Sequence, residues 1–401
     1  VISLEDAQTR ILSAIQPLPA EEISLAHALG RFSAEPLHAL VDLPPVDNSA
    51  MDGYAVQAAD LHVATVSNKV ALMLAAEVRA GEPTPPKIAP GACARIFTGA
   101  PLPSGADAVV MQEDVTREEG PEVRILFSEP AKPWENVRLR GEDVRAKALL
   151  LEAGEKISPQ YLGVLAGGGV NRLRVFRQPV LGLLATGDEL LEPGEPLVPG
   201  RIYESNRSAL AALATLCGAR PKAYPLLRDD LDLTEQALRR AFAECDAVVT
   251  TGGVSVGEMD WVKPAFEKMG GSLDFWKVEI RPGKPFAFGL AEGKAFFGLP
   301  GNPVSAMVTF FLLVRPALLR LQGARDVRPP VTWGKLAGTL RNEGERRHFM
   351  RVILDATGEV RSAGSQASHM LSSLSRSHGL VDVAPRTTLP SGVVIPVLRW
   401  D

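Results

Sequence analysis

Residues 179–323 alternate between apolar runs that end in glycine and amphipathic stretches, and this rhythm limits the fold more than any other feature. Residues 180–186 (VLGLLAT) show no polar alternation before Gly187, as expected of a strand buried on both faces. A helix over 205–217 follows, with Ser205 as a possible N-cap, Leu210, Leu213, Ala214 and Cys217 on one side, and Gly218 placed to end it. The pattern continues as a strand near 222–227, a helix over 231–244, a strand over 247–251 and a helix over 260–269. Strands over 273–280 and 295–299 complete it, and Asn302 with Pro303 opens a long final helix. Strand and helix in alternation imply a doubly wound, mainly parallel sheet covered on both faces, an α/β domain.

The flanks read differently. A chain of 401 residues holds two to four domains at the usual size. Residues 3–15 form an amphipathic helix with Leu4, Ala7, Ile11 and Ile15 at helical spacing. The rest of 1–178 breaks into short β-like pieces between prolines and glycines; this is expected to be an elongated N-terminal region of mostly β subdomains, one inserted at about 48–140. From 324 to 401 the text is β-like again, with runs at 331–340, 347–354 and 393–398, as in a small β-barrel.

Charge and cysteine usage remove several function classes. Lys plus Arg number 43 against 47 Asp plus Glu, a net charge of −4, so there is no basic footprint for nucleic acid. The longest apolar stretch, 304–314, falls short of a spanning helix and stops at Arg315, so no membrane association is expected. Cys93, Cys217 and Cys245 form no C-x-x-C, and the N-terminus has no leader pattern; both point to reduced thiols in a cytoplasmic protein. The six histidines show no paired ligand spacing, which argues against zinc.

In a doubly wound sheet, ligands bind beyond the carboxyl ends of the strands. Four such edges carry glycine beside a polar group: Thr186-Gly187-Asp188-Glu189, Thr251-Gly252-Gly253-Val254-Ser255, Arg281-Pro282-Gly283-Lys284 and Pro300-Gly301-Asn302. Each alone is equally well turn chemistry; four at one rim favour a phosphate site. It matches neither G-x-G-x-x-G nor the P-loop, which weakens a dinucleotide oxidoreductase or NTPase reading. Asp188, Glu189, Asp229, Asp230 and Asp260 follow strands and suit Mg²⁺ bridging to phosphate, although each alone also reads as a turn residue or N-cap. Lys277, Arg281 and Lys284, with Arg347 and Arg351 from the C-terminal part, form a basic set suited to a small oxyanion. Ser255, with no histidine near it in sequence, reads as a phosphate donor rather than a nucleophile.

At these residues the sequence resembles the molybdopterin molybdenumtransferases, the MoeA family that includes the E domain of gephyrin. The resemblance lies in NSAMDGYA at 48–55, IFTGA at 96–100, RGED at 140–143, TGDEL at 186–190, TTGGVS at 250–255, GKPFAFG at 283–289 and PGNPVS at 300–305. It implies insertion of molybdenum from molybdate into adenylylated molybdopterin with release of AMP, dependent on Mg²⁺. Carried over by motif, Asp52, Glu189, Asp229, Asp260 and Lys284 would be catalytic. Thr98, Asp143, Thr186, Gly187, Asp188, Asp230, Gly252, Gly253, Ser255 and Lys277 would hold the pterin nucleotide, with Asp188 and Asp260 on the metal. Arg281, Lys284, Ser305, Arg351 and Ser368 would hold molybdate. Arg281 stands where the family often has Lys, which keeps the charge and changes the donor geometry. The resemblance also implies a homodimer in which Asp52, Thr98 and Asp143 reach the partner's site. An adenylyltransferase acting one step earlier, a contact with such an enzyme, and a scaffold role remain as alternatives.

Overall fold

The run at 180–186 forms the strand Val180–Ala185, buried over nearly its whole length. The computed structural model describes residues 1–83, 85–253 and 261–400. After the N-terminal helix Leu4–Ala14 (α1), capped by the Ser3 hydroxyl on the Asp6 amide, the central elements follow in order. They are Val180–Ala185 (β1), Asn206–Leu216 (α2), Arg220–Ala223 (β2), Leu231–Glu244 (α3), Ala247–Thr251 (β3) and Val262–Lys268 (α4). Then come Ser272–Lys277 (β4), Ile280–Arg281 (β5), Pro285–Ala291 (β6) and Lys294–Leu299 (β7).

Six of these strands make one sheet in the order β2-β1-β3-β7-β6-β4. The pairings β2–β1, β1–β3 and β3–β7 are parallel, and β7–β6 and β6–β4 are antiparallel. The side-chain period of two sends Leu181, Leu183, Val249 and Phe297 to one face and Leu184, Val248 and Phe296 to the other. The first face is covered by α1, α2 and a long helix at 303–321, the second by α3 and α4.

Two expectations change here. The strand expected at 273–280 divides: Ser272–Lys277 stays in the central sheet, whereas Ile280–Arg281 leaves it. The sheet also has a strand, Pro285–Ala291, that is not among the expected elements; Pro285 and Gly289 obscure its apolar run. Its signal was the Glu292-Gly293 pair, both residues at positive φ, which turns this strand directly into β7.

The helix expected after Asn302 runs from Pro303 to Leu321 without stopping at Arg315. It passes through a π turn at Phe310–Val314, just before Pro316, whose ring would collide with the carbonyl four residues back in a regular α-helix. At 19 residues and mean hydropathy 1.7 it is long and apolar enough to cross a membrane, but 83% of its apolar window is buried inside the protein. It is the core helix of the central domain.

Beyond it, Val331–Leu336 (β8), Arg347–Leu354 (β9), Glu359–Ser362 (β10), Gly379–Val383 (β11) and Val394–Arg399 (β12) close into a five-stranded barrel, β9 pairing with both β10 and β11. Met350, Val352, Val360, Val381 and Val397 fill its interior. The displaced β5 pairs in parallel with β9, Ile280 opposite Arg347 and Arg281 opposite His348, and so joins barrel to central domain.

On the N-terminal side, the pairs Ala20–Ser24 with Arg172–Phe176 and Leu37–His38 with Leu149–Leu151 pack with the helix Pro159–Gly167. Between them is inserted a six-stranded sheet spanning residues 53–127. All three cysteines are buried and free.

The two-sided burial of the central sheet makes a direct prediction. Phe296 stacks on Phe266 at 4.3 Å between ring centroids and is fully buried. Replacing it with Ala should cost about 3–5 kcal/mol in urea unfolding, whereas the exposed Leu216→Ala should stay within about 0.5 kcal/mol.

Candidate active site at the sheet rim

The carboxyl ends of the parallel strands converge. Thr186, just past β1, forms a parallel bridge to Leu227 past β2, and its amide donates to the Thr251 carbonyl of β3. The next two residues after β3 must be glycine. Gly252 has φ +81° and a Cβ there would meet the Thr186 carbonyl at 2.5 Å; Gly253 has φ +62° and would meet Val262 Cγ2 at 2.5 Å. The backbone is thereby held against the rim with no side chain in the way.

A cavity of about 570 Å³ opens here, lined by Thr186, Glu189, Asn206, Gly252, Gly301 and Asn302 among others. Thr186 Oγ1 and Asn206 Oδ1 are buried without a hydrogen-bond partner among the described residues. Buried polar atoms are nearly always paired, so two orphan atoms on residues of one cavity mark a surface built to receive a polar ligand. Asn206 itself is fixed by its Nδ2, which donates to the Gly301 carbonyl at 2.8 Å.

The start of α2 differs from expectation. Ser205 makes no side-chain cap; Glu204 does the work, its Oε1 accepting from the amides of Asn206 at 2.6 Å and Arg207 at 2.9 Å. Arg207 is buried and held by Glu204, Glu192 and the Tyr224 carbonyl. An acid immediately before the helix was the available signal.

The acidic residues separate into two roles. The Asp188 amide donates to Asp229 Oδ2 at 3.4 Å, and the Asp229 carboxyl is pushed up by burial and by the neighbouring charges of Asp188 and Glu189. Asp230 is instead the N-cap of α3, accepting from the Leu233 amide at 2.8 Å; of the four acids only Glu189 is in the lining of the cavity itself. Ser255 and Asp260 lie outside the described residues. Among the described residues, no group of three or more His, Cys, Asp or Glu side chains could hold a metal by itself.

A second cavity of about 400 Å³ adjoins the first and shares Asn302 and His369 with it. Its lining includes Arg281, Lys284, Ser305, Arg346 and Ser368. Gly283, at φ +108°, lets the Arg281–Lys284 turn press on the core helix, where a Cβ would strike Thr309 Cγ2 at 2.3 Å. Ser305 is 4% exposed in the first turn of that helix, and the Val304 amide donates to the Ser368 carbonyl at 3.1 Å, tying the barrel loop to the helix start. Among the described residues Arg281, Lys284 and Arg346 have no carboxylate in ion-pair distance, so the cavity carries uncompensated positive charge.

Arg351 is elsewhere. It is 0% exposed, its Nε donating to Ser373 Oγ at 3.0 Å and its Nη2 to the carbonyls of Ser365 at 2.7 Å and Ala367 at 3.2 Å. Burial pushes it down to about 10. It supports the 365–368 loop from behind and does not line the cavity. The residue on the cavity is Arg346, which sequence reading passed over; it precedes β9 and donates from Nη1 to the Ile280 carbonyl at 2.7 Å. His348, 2% exposed and with neither ring nitrogen paired among the described residues, is pushed down to about 4 by burial and by Arg281, Arg351 and Arg346, so its ring is neutral.

Gly187, Asp188, Asp229 and Gly253 belong to the rim but are in the lining of neither cavity, and the remaining expected residues lie outside both as well. Lys277 ends β4 and its carbonyl accepts from the Ile2 amide. In the inserted sheet, Asp52 Oδ1 accepts from the Thr98 amide at 2.7 Å and the Thr98 hydroxyl at 2.8 Å, which hold its carboxyl below the usual range. The Asp143 amide donates to the Leu43 carbonyl.

Comparison with known proteins bears on this arrangement. Residues 2–169 match the MoeA N-terminal region (domain I and II), 182–320 a probable molybdopterin binding domain, and 334–400 the MoeA C-terminal region (domain IV). A molybdopterin molybdenumtransferase of Haemophilus influenzae is 40% identical, covering 94% of this chain and 93% of that protein. The chain belongs to the molybdopterin molybdenumtransferase family. Within that family of transferases, molybdopterin molybdenumtransferase 2 of Mycobacterium tuberculosis is 37% identical over 100% of this chain and 99% of its own length. The crystal structure of a molybdopterin biosynthesis MoeA protein from Pyrococcus horikoshii superposes with a TM-score of 0.85 at 32% identity, covering 100% of this chain and 99% of that one.

The two arginines can be told apart by stability. Arg351→Met removes three charged hydrogen bonds inside the barrel and should cost about 2 kcal/mol or more in chemical unfolding. Arg346→Met should cost less than about 1 kcal/mol, because its loss leaves no buried group uncompensated except one carbonyl at the surface of the cavity.

Proposed function

We propose that this chain is a cytoplasmic enzyme of molybdenum cofactor biosynthesis that inserts molybdenum from molybdate into adenylylated molybdopterin, with Mg²⁺, and releases AMP. The observation that carries this reading is the pair of joined cavities, one with orphan polar atoms under an acidic corner, the other with unpaired cations. A nucleotide-linked pterin and a tetrahedral oxyanion need these two environments side by side.

In the first cavity the glycine-bearing edges at 186–187 and 252–253 offer backbone donors to a pyrophosphate, and Thr186 adds its unpaired hydroxyl. The acidic corner of Asp188, Glu189 and Asp229 suits Mg²⁺, which takes one or two carboxylates and completes its shell with phosphate and water. Asp229 supports this: burial chiefly, and with it the charges of Asp188 and Glu189, push it up, and a divalent cation would offset that charge excess. Asp188 would hold the ion, together with Asp260. What the ion supplies is neutralisation of the pyrophosphate while its P–O bond breaks.

In the second cavity Arg281, Lys284 and Arg346 provide charge for molybdate, and Ser305 and Ser368 provide hydroxyl partners. The dithiolene sulfurs replace two molybdate oxygens; one oxygen balances the phosphoanhydride cleavage that frees AMP, and the other leaves as water. Asn302 and His369, common to both cavities, stand where the two substrates meet.

Asp52, Thr98 and Asp143 stand away from both cavities, which supports a homodimer in which they complete the partner's site. The upstream adenylyltransferase would hand over its product to this assembly.

Purified protein given adenylylated molybdopterin should release AMP only when molybdate and Mg²⁺ are both present, with molybdenum retained on the pterin. AMP release indifferent to molybdate would overturn the proposal.

Asp229 also gives a pH-linked prediction. Its folded pKa is raised, so the penalty grows as pH rises above the unfolded carboxyl value and is complete above the folded one. At neutral pH Asp229→Asn should therefore raise the melting temperature of the metal-free protein and abolish turnover; the gain in stability should vanish at acid pH.

A further inference from the structure

A further cavity, of about 710 Å³, lies away from the sheet rim. It lies where three parts of the chain meet: Phe32, Lys156 and Tyr161 from the N-terminal side, Arg315 and Leu319 from the core helix, and the segment 325–328 that leads to the barrel. The junction is close-packed at its base, where a Cβ on Gly154 would meet the Gly323 carbonyl at 2.7 Å. None of these residues takes part in either rim cavity.

Four cations line it against two carboxylates. The carboxylates are already occupied. Asp326 pairs with Arg328 at 2.6 Å, and Glu155 Oε2 accepts from the Glu152 amide at 3.2 Å and the Tyr161 hydroxyl at 3.4 Å. Among the described residues, Lys156, Arg315 and Arg325 have no carboxylate in ion-pair distance. Arg315 is the telling one. It is half-buried, its Nη1 donates to the Val327 carbonyl at 3.0 Å, its guanidinium lies over Phe311, and burial lowers its pKa. Asp326 acts on it only from beyond ion-pair distance and is already paired with Arg328, so a partly desolvated guanidinium here gains from an anion that joins it. Phe32, Tyr161 and Leu319 give the same cavity an aromatic and apolar wall. A volume of this size holds a small organic molecule, and domain junctions are common places for such sites.

We propose that this junction is a second ligand site, separate from the rim, that takes an organic phosphate of nucleotide size, its phosphate on Arg315, Lys156 and Arg325 and its planar or apolar body against Tyr161, Phe32 and Leu319. The inference does not rest on the reaction proposed above. It adds a place where a phosphorylated metabolite can act on the junction between the N-terminal region, the core helix and the barrel.

The test uses the full chain and 8-bromo-AMP, whose bromine can be located by anomalous diffraction, alongside calorimetric titration with AMP and with inorganic phosphate. The site predicts a bromine peak beside Tyr161 or Leu319, and AMP binding at the junction about tenfold or more tighter than inorganic phosphate. Arg315→Met should remove that peak and weaken this class of binding by about tenfold or more, leaving any rim binding unchanged. If Arg315→Met does not fold, the double variant Lys156→Met with Arg325→Met, at two exposed positions, should give the same loss. Bromine only at the rim, or identical isotherms for wild type and variant, would overturn the proposal.

Discussion

Parallel pairing of Ile280–Arg281 with Arg347–His348 is the contact on which the arrangement of the site depends. These two residues leave the central sheet and become a sixth strand on the barrel, so the turn carrying Gly283 and Lys284 is clamped between two domains. On one side it presses on Thr309 of the core helix; on the other, Arg346 of the barrel donates back to the Ile280 carbonyl. The cationic cavity is thus made at a seam, by backbone hydrogen bonds rather than by flexible side chains meeting in solvent. The N-cap of the same core helix, Asn302, lines both cavities, so one rigid element sets the cationic cavity against the rim.

The electrostatics follow from this placement. Carboxylates crowd the end of β1, where burial together with Asp188 and Glu189 makes ionising Asp229 costlier, while the seam collects arginine and lysine. Among the described residues the two charge excesses form no ion pairs with each other, and unlike the surface pairs elsewhere they remain available to ligands. His348 stays neutral beneath the cationic side because adding a proton there would place a fourth positive charge in a buried space.

How much of this could be read from the sequence depends on whether the signal was local. The helix Leu231–Glu244 and strand Ala247–Thr251 lie where hydrophobic period places them, since a sheet covered on both faces imposes long apolar runs. Strand Pro285–Ala291 was hidden by Pro285 and Gly289, which in isolation read as turn residues. Asp230 and Asp229 look alike in sequence, but only the geometry of the following helix makes the first a cap and leaves the second in the acidic corner. Arg346 and Arg351 are likewise indistinguishable by type. One precedes β9 and opens on the cavity, whereas the other is sealed behind the 365–368 loop, a difference set by pairing with β5 and β11 rather than by spacing. The Asp52–Thr98 pair was legible as a motif, yet its own chain gives it no place on either cavity.

The central claim is that the seam between core helix and barrel is the oxyanion pocket. Anomalous diffraction from crystals soaked in tungstate, a heavy stand-in of the same charge and shape as molybdate, tests it most directly. The account predicts one strong peak within hydrogen-bonding reach of Lys284, Ser305 and Arg346, and none in contact with Arg351. A peak on Arg351, or strong peaks only outside this seam, would contradict it.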